Sequence, residues 1–189
     1  MKVKICVVGE HAVGKTSLIR RYVYDEFDDR YILTLGAKVT KKEMEVPHPE
    51  GQGPIRVLVS VWDIMGEKGF RELLKEAYFR GAQGILAVCD ITRRDTLSEL
   101  DGWISSMERV TGKVPIHFLA NKIDLKDEIT FRERDLQEKS ESHSSPYLLT
   151  SAKTGANVDL AFESLSQRIV AQRVSKVSQS TDSEKPAPR

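Results

Sequence analysis

The stretch "GEHAVGKTS", Gly9 to Ser17, has residue types at a spacing that could hold a phosphate chain. It fits the pattern G-x-x-x-x-G-K-[ST], follows the β-branched run "KVKICVV" and precedes a segment with helical spacing. Glycines let backbone N–H groups curl around an anion, and the start of a helix adds partial positive charge. The alternative is an ordinary glycine turn with a lysine at a helix start. The loop residues that we expect to bind phosphate are Gly9, His11, Ala12, Val13, Gly14, Lys15, Thr16 and Ser17.

Within this loop, Lys15 can reach the outer phosphates and the Thr16 hydroxyl can ligate Mg²⁺. The pattern therefore predicts a nucleoside triphosphate with Mg²⁺. It does not tell ATP from GTP, because ATPases, kinases and GTPases share it.

A second motif, "FLANKID", places Asn121, Lys122 and Asp124 just after an apolar run. A carboxylate there can accept two hydrogen bonds from guanine, at N1–H and at the exocyclic amine. Adenine has no amine at that position and its N1 is an acceptor, so the carboxylate would be left unpaired over adenine. A lone N-K-x-D is weak, because strand ends often carry Asn and Asp in turns. It is strong here, after a phosphate loop and before "TSAK", Thr150 to Lys153.

The overall composition limits the classes of partner. The chain has 189 residues, a formal net charge of +1 and 30% charged residues, which predicts one globular domain without a basic field for nucleic acid. Cys6 and Cys89 lie inside apolar runs, so we expect buried free thiols rather than a disulfide or metal ligands. No stretch has the length of a membrane span, and we expect an intracellular, cytoplasmic protein.

The elements that must position these motifs alternate between strands and helices. Apolar runs such as "QGILAVCDI" are typical of buried parallel strands, and "AKVTKKEMEV" and "IRVLVSVW" predict a hairpin. The segment "RDTLSELDGWISSMERV" is expected to be one amphipathic helix with an inward stripe of Leu97, Leu100, Ile104 and Met107. This alternation favours an α/β fold with an open, mostly parallel sheet and helices on both faces. In such sheets ligands bind at the carboxyl ends of the strands.

The last predicted helix, "NVDLAFESLSQRIVAQRV", is expected to turn Leu160, Leu165 and Ile169 inward. Beyond it the composition changes to Ser, Lys, Asp and Pro, which cannot bury enough apolar surface to become ordered. We therefore predict a domain over residues 1–172 and a disordered polar tail over residues 173–189.

The motifs, taken together, resemble the small GTPases of the Ras superfamily. The phosphate loop, "TLG", "WDxxG", "NKID" and "TSAK" occur in that family's order and spacing, over about residues 2 to 172. The segments "YFRGAQGI" and "DIT" look most like the Rab branch. The resemblance implies a P-loop G domain with a six-stranded, mostly parallel sheet and five helices. It also implies a GTP/GDP switch that uses Mg²⁺.

The resemblance also implies roles in binding the base. Asp124 and Asn121 would hold guanine, the Lys122 stem would pack on the base, and the Ala152 N–H would meet the guanine O6. Phe27 would pack against the base edge, the alternative being an ordinary apolar contact near the end of the first helix. The implied guanine-binding residues of these loops are Asn121, Lys122, Asp124, Ser151, Ala152 and Lys153.

Two switch segments follow from the same resemblance. Thr34, in "YILTLGA", would coordinate Mg²⁺ and contact the γ-phosphate; otherwise it is a threonine at a strand start. Tyr31 would lie over the phosphates. Asp63 would hold Mg²⁺ through water, and the Gly66 N–H would meet the γ-phosphate. The expected metal ligands are thus Thr16, Thr34 and Asp63.

Glu67 stands where the family usually has glutamine to orient the attacking water. An ionised glutamate only accepts hydrogen bonds and adds negative charge near a triphosphate. Two alternatives remain: Glu67 swings out to solvent and leaves hydrolysis slow, or it acts as a weak general base. We favour slow intrinsic hydrolysis, because an anion is poorly placed beside the γ-phosphate. The candidate catalytic residues are Lys15, Gly66 and Glu67.

Three further departures from the family surround this site. Ile64 and Met65 replace smaller residues, and Met65 could change how the second switch moves. His11 could crowd an arginine supplied by an activating protein, or could be a solvent-facing residue without a role.

We expect a monomeric switch whose effectors, exchange factor and GTPase-activating protein bind the switch regions, without nucleic acid. The chain ends "KPAPR" without a cysteine for prenylation, so we expect no direct lipid anchor and recruitment to a membrane, if any, by a partner. One rival hypothesis is a scaffold that holds GTP permanently, which Glu67, Met65 and His11 would suit. Another is an ATP-dependent phosphotransferase, which Asp124 disfavours.

Overall fold

The structure is a computed structural model that describes residues 1–28, 30, 34, 36–66 and 76–182, with side chains up to residue 176. The strands are β1 (Lys2–Val8), β2 (Ala37–Pro47), β3 (Pro54–Ile64), β4 (Gly84–Asp90), β5 (Ile116–Asn121) and β6 (Tyr147–Leu149). The labelled α-helices are α1 (Lys15–Tyr24), α2 (Arg94–Ser98), α3 (Leu100–Thr111), α4 (Glu133–Ser142) and α5 (Val158–Asp182), with a 3-10 turn at Lys126–Glu128. Residues 76–79 are also helical.

The six strands form one sheet in the order β2-β3-β1-β4-β5-β6. Only β2 and β3 pair antiparallel among these strands, from Ala37 opposite Ile64 to Pro47 opposite Pro54. The other four pairings are parallel. The predicted α/β fold, hairpin and mostly parallel six-stranded sheet with five helices are confirmed.

Two apolar cores lie on the two faces of the sheet, because the central parallel strands are buried on both sides. Every residue of β4 is buried. One core lies beneath α1 and α5, and the other lies beneath α2, α3 and α4. The predicted stripe of the second core is confirmed, since Leu97, Leu100, Ile104 and Met107 are all buried. The predicted single helix is divided at Glu99, whose ψ of −12° departs from regular α-helical geometry.

The inward face of α5 differs from the prediction at one position. Leu165 and Ile169 are buried as expected, but Leu160 is 49% exposed. Phe162 is fully buried and sets the inward direction of the helix. At 100° per residue, Leu160 lies about 200° around the axis from Phe162, so it faces solvent.

The helix α5 also continues past the predicted start of the tail at residue 173, and it ends at Asp182. Val174 packs against the core beneath α1 and α5, and the Arg173 guanidinium donates a hydrogen bond to the Lys2 carbonyl at 3.0 Å. Helix and contacts thus continue beyond residue 172. The division into a domain over residues 1–172 and a tail over residues 173–189 stays a prediction. Residues 183–189 lie outside the described part.

Two other expectations concern thiols and membranes. Cys6 and Cys89 are buried and free, as predicted, and burial raises the pKa of both thiols. Among the described helices, none is long and apolar enough to cross a membrane.

A buried histidine of β5 should make stability depend on pH. His117 is 2% exposed, and burial, with the nearby Arg168 charge, lowers its pKa from 6.5 to about 4. Below pH 6.5 the unfolded chain therefore binds a proton that the folded chain excludes. We expect the free energy of unfolding to fall by up to about 1.4 kcal/mol per pH unit from pH 6.5 towards pH 4.

Urea denaturation at pH 7, 6 and 5 measures this slope. In His117→Gln the slope should be smaller, because glutamine does not titrate. The matched control is His48→Gln, in the loop between β2 and β3, which should keep the wild-type slope. An unchanged slope in His117→Gln would contradict this assignment.

Candidate nucleotide-binding site

The carboxyl ends of β1, β3 and β5 open into a cavity of about 450 Å³. Most of the residues predicted from the sequence line it. Those lining residues are His11, Ala12, Gly14, Lys15, Thr16, Ser17, Phe27, Thr34, Gly66, Asn121, Lys122, Asp124, Ala152 and Lys153. Two others, Tyr31 and Glu67, lie outside the described residues. The cavity thus brings together loops that are far apart in the sequence.

The phosphate loop owes its shape to two glycines with positive φ. Gly9 has φ 141°, and a Cβ there would lie 2.1 Å from the Val88 carbonyl oxygen. Gly14 has φ 96°, and a Cβ there would lie 2.3 Å from the Asn121 amide nitrogen. Val13, between them, is fully buried. Gly9 and Val13 therefore support the loop from behind, and neither lines the cavity.

Lys15 supplies a buried positive charge at the centre of the loop. Its side chain is buried, and its Nζ donates hydrogen bonds to the carbonyls of Gly9 at 2.8 Å and Glu10 at 2.7 Å. Burial lowers the pKa of Lys15 to about 8, against the opposing charges of Asp63 and Glu10. An anion in the cavity would favour the charged form, so the site suits a phosphate group.

Three oxygen-bearing side chains meet beside Lys15. The Thr16 hydroxyl donates to Asp63 Oδ2 at 2.5 Å, and it lies 3.0 Å from the Thr34 hydroxyl. Asp63 is 2% exposed, and burial raises its pKa. Its Oδ1 is buried without a hydrogen-bond partner in the described part of the chain. A buried carboxylate oxygen lacking a partner, beside two hydroxyls, fits a hard cation such as Mg²⁺.

Asn121 connects the phosphate loop to the predicted base-binding loop. Its Nδ2 donates to the Val13 carbonyl at 3.0 Å, and its Oδ1 accepts from the Ala152 N–H at 3.1 Å. The side chain is almost fully buried. The resemblance assigned Asn121 and the Ala152 N–H directly to guanine, whereas here these two groups bond to each other. Asn121 thus holds the two loops in a fixed arrangement through these hydrogen bonds.

Asp124 is held in place by Ser151. Its Oδ1 accepts a hydrogen bond from the Ser151 hydroxyl at 2.5 Å, and Ser151 itself is buried behind the cavity wall. Lys122 has φ 72° and pairs with the buried Asp90 at 2.6 Å. That pair fixes the direction of the Lys122 stem along the cavity.

The second switch region begins at Gly66. A Cβ at Gly66 would lie 2.5 Å from the His11 backbone nitrogen, so the two loops are in direct contact. Ile64 and Met65 are buried, and the Met65 N–H donates to the Gly36 carbonyl at 3.0 Å. The His11 side chain is exposed at the rim, while its carbonyl accepts from Arg93 at 2.7 Å.

Sequence reasoning missed several residues of the site. Four further residues line the cavity: Arg20, Asp28, Arg30 and Leu125. Ile64, which the sequence placed beside the site, lines it as well. Arg21 lies behind it, and its guanidinium donates to the carbonyls of Ala152 at 3.0 Å and Lys153 at 2.9 Å. No sequence signal distinguishes Arg21 from a surface charge of an amphipathic helix. Its role follows only from the approach of α1 to a loop 131 residues away.

The comparisons with known proteins agree with this geometry. A model of the Ras family matches residues 4–171. The Ras-related protein Rab-21 of Geodia cydonium is 35% identical over 171 residues, which cover 90% of this chain and 72% of the relative. Rab-18-B of Danio rerio is 34% identical over 88% of this chain and 78% of the relative. Rab-13 of Rattus norvegicus is 33% identical over 88% of this chain and 79% of the relative.

The chain therefore belongs to the Ras family. Its similarity to Rab proteins over most of its length makes it a Rab-like small GTPase, which binds guanine nucleotide and hydrolyses GTP.

The base preference should depend on Asp124. In Asp124→Asn the amide replaces an oxygen acceptor with a donor, so it faces the guanine donors without matching them. We expect GTP and GDP affinity to fall by about 10²-fold or more, with a gain for xanthosine nucleotides, which carry a carbonyl in place of the amine. Competition against a fluorescent guanine nucleotide measures this. The exposed Asp127→Asn is the control, and equal competition by ATP in the wild type would contradict the assignment.

Arg21 should control how long the nucleotide stays bound. Arg21→Ala removes the hydrogen bonds that hold the Ala152 and Lys153 carbonyls, so the base-binding loop is less constrained. We expect GDP to dissociate about tenfold faster, equivalent to about 1.4 kcal/mol. Stopped-flow release of a fluorescent GDP measures the rate. Arg134→Ala on α4, where the side chain is 85% exposed, is the control. A release rate equal to the wild type would show that Arg21 only carries surface charge.

Proposed function

We propose that this chain is a Mg²⁺-dependent GTP/GDP switch in which the predicted residues act as follows. Lys15 and the backbone N–H groups of its loop bind the outer phosphates. Thr16, Thr34 and Asp63 hold Mg²⁺, and Asp124 selects guanine. The observation that carries the proposal is the buried Asp63 carboxylate that accepts from Thr16, because Thr16, Thr34 and Lys15 line the same cavity as Asp124.

The two switch segments meet at this cluster. Thr34 precedes β2, and its hydroxyl lies 3.0 Å from the Thr16 hydroxyl. Asp63 is the penultimate residue of β3, which ends at Ile64, and Gly66 follows in the second segment. A γ-phosphate would contact both Thr34 and the Gly66 N–H, and its loss would remove both contacts. When bound, Mg²⁺ neutralises charge on the phosphate oxygens. The chain's part is to hold Thr16 and Asp63 in place and to keep the Lys15 charge against the phosphates.

Slow intrinsic hydrolysis is the second part of the proposal. A glutamate at position 67 can accept a hydrogen bond from the attacking water but cannot donate one to the phosphate, whereas glutamine does both. The buried Ile64 and Met65 contribute packing beside the site rather than a reactive group. The scaffold that never hydrolyses GTP is not favoured, because the chain matches hydrolysing small GTPases over residues 4–171.

Membership of the Ras family implies effector and regulator proteins in general, and we propose where they bind. Effectors and regulators would bind the switch segments and the β2–β3 hairpin. Val39 of β2 is 43% exposed, and Lys4 lies over the ring of Trp62 at 3.6 Å, so this face offers apolar and charged contacts. A role in vesicle trafficking, in the cytoplasm or at a membrane through a partner, is our proposal from the Rab similarity.

Single-turnover hydrolysis of bound GTP with Mg²⁺ tests the role of Glu67. Small GTPases of this kind hydrolyse GTP at roughly 10⁻⁴ to 10⁻³ per second unaided. We expect the wild type at or below the lower end, and Glu67→Gln several-fold faster. Glu50→Gln, in the loop between β2 and β3, is the control and should match the wild type.

Two other outcomes of the hydrolysis experiment would change the role assigned to Glu67. A wild-type rate above that range, with Glu67→Gln no faster, would mean that Glu67 supports the chemistry. No detectable turnover, with GTP retained through purification, would bring the scaffold hypothesis forward. Chromatography of the nucleotide released on denaturation distinguishes these cases.

A further inference from the structure

The phosphate loop contains a buried carboxylate that points away from the cavity. Glu10 is 7% exposed and is not among the residues that line the cavity. Its Oε1 accepts a hydrogen bond from the indole N–H of Trp103 at 3.0 Å. Trp103 lies on α3 and is fully buried. Burying a carboxylate is costly unless it is hydrogen-bonded, so this contact helps to hold Glu10 where it is.

The backbone of Glu10 and His11 is a junction of several parts of the site. The Glu10 carbonyl accepts from Lys15 Nζ at 2.7 Å, and the His11 carbonyl accepts from Arg93 at 2.7 Å. A Cβ at Gly66 would lie 2.6 Å from the Glu10 carbonyl oxygen and 2.5 Å from the His11 nitrogen. Gly66 thus rests directly on the Glu10–His11 peptide, and a shift of that peptide must shift Gly66 as well.

We propose that Glu10 is a positioning residue for the γ-phosphate and that the hydrogen bond from Trp103 holds Glu10 in place. The hydrogen bond fixes the Glu10–His11 peptide, and that peptide sets the place of Gly66. Because only GTP offers a γ-phosphate to the Gly66 N–H, the hydrogen bond from α3 would raise the affinity for GTP relative to the affinity for GDP. This inference rests on the proposed role of Gly66, and it makes α3 a structural sensor of the bound nucleotide.

A purely structural role would have a different signature. Trp103 is large and central, so its loss could weaken the fold and lower the affinity for every nucleotide equally. A positioning role predicts instead that the GTP affinity falls more than the GDP affinity. The ratio of the two affinities is therefore the quantity to measure.

The first experiment compares Trp103→Phe and Glu10→Gln with the wild type, using a non-hydrolysable GTP analogue and GDP with Mg²⁺. Trp103→Phe keeps an aromatic ring but removes the N–H donor, and we expect the affinity for the GTP analogue to fall about tenfold more than that for GDP. Glu10→Gln keeps an oxygen acceptor for the indole, and its ratio should stay within about threefold of the wild type. Met107→Leu is the matched control, because Met107 is a fully buried apolar residue of the same helix.

If Trp103→Phe does not fold, Glu10→Ala tests the same hydrogen bond from the loop side and keeps the Trp103 ring in the core. It should show the same selective loss of the GTP analogue. An unchanged ratio in a folded Trp103→Phe or Glu10→Ala protein that still binds GDP would overturn the inference and leave the proposed function intact. Failure of the wild type to bind either nucleotide would instead overturn the proposed function.

A spectroscopic measurement gives an independent readout. The chain has two tryptophans, Trp62 and Trp103, so ¹⁵N-tryptophan labelling gives two indole N–H resonances, and Trp103→Phe assigns them. The Trp103 resonance should move between the GDP and GTP-analogue states. It should also shift in Glu10→Gln, because a carboxylate is a stronger acceptor than an amide. Identical Trp103 resonances in the two nucleotide states would contradict the proposal.

Discussion

The site depends on one side-chain amide, that of Asn121, more than on any other contact. It ends β5, donates to the phosphate loop at Val13 and accepts from the base-binding loop at Ala152. Because it is buried, each of these hydrogen bonds would be costly to leave unmade. Gly14 must lack a side chain because the Asn121 amide occupies that space. The phosphate and base ends of the cavity are therefore held at a fixed separation, which suits a ligand with both a phosphate chain and a base.

The electrostatics of the site follow from burial acting on groups of opposite charge. Burial lowers the pKa of Lys15 and raises that of Asp63, so each group favours its neutral form more than it would in water. A phosphate beside Lys15 and a cation beside Asp63 would reverse both effects together. Charge is balanced within the protein at the neighbouring Asp90, whose pKa is lowered because Lys122 and Thr92 bond to it despite its burial. The two parts of the site thus have different roles. Lys15 and Asp63 are suited to bind a phosphate and a cation, whereas the pair of Asp90 and Lys122 holds a loop in place.

The sequence predicted the parts of the site that need a particular residue type. Gly9, Gly14, Lys15 and Asp124 could be recognised because no other side chain meets the local steric or hydrogen-bonding demand. Arg21 and Glu10 could not, since their roles depend on which distant loop or helix reaches them. The same limit applies to α5, where the predicted stripe included Leu160 although Phe162 is the buried residue, and composition could not reveal the contacts of Arg173 and Val174.

Ile64 and Met65, which differ from the residues usual in the family, have a structural role that their packing explains. Ile64 pairs with Ala37 across the hairpin, and Met65 donates its N–H to Gly36, so the chain after Thr34 is tied to the chain before Glu67. Both side chains are buried, and Ile64 joins the core beneath α3. Neither side chain adds a reactive group to the site. The chemical departure from the family is then concentrated in Glu67, while Ile64 and Met65 contribute apolar packing.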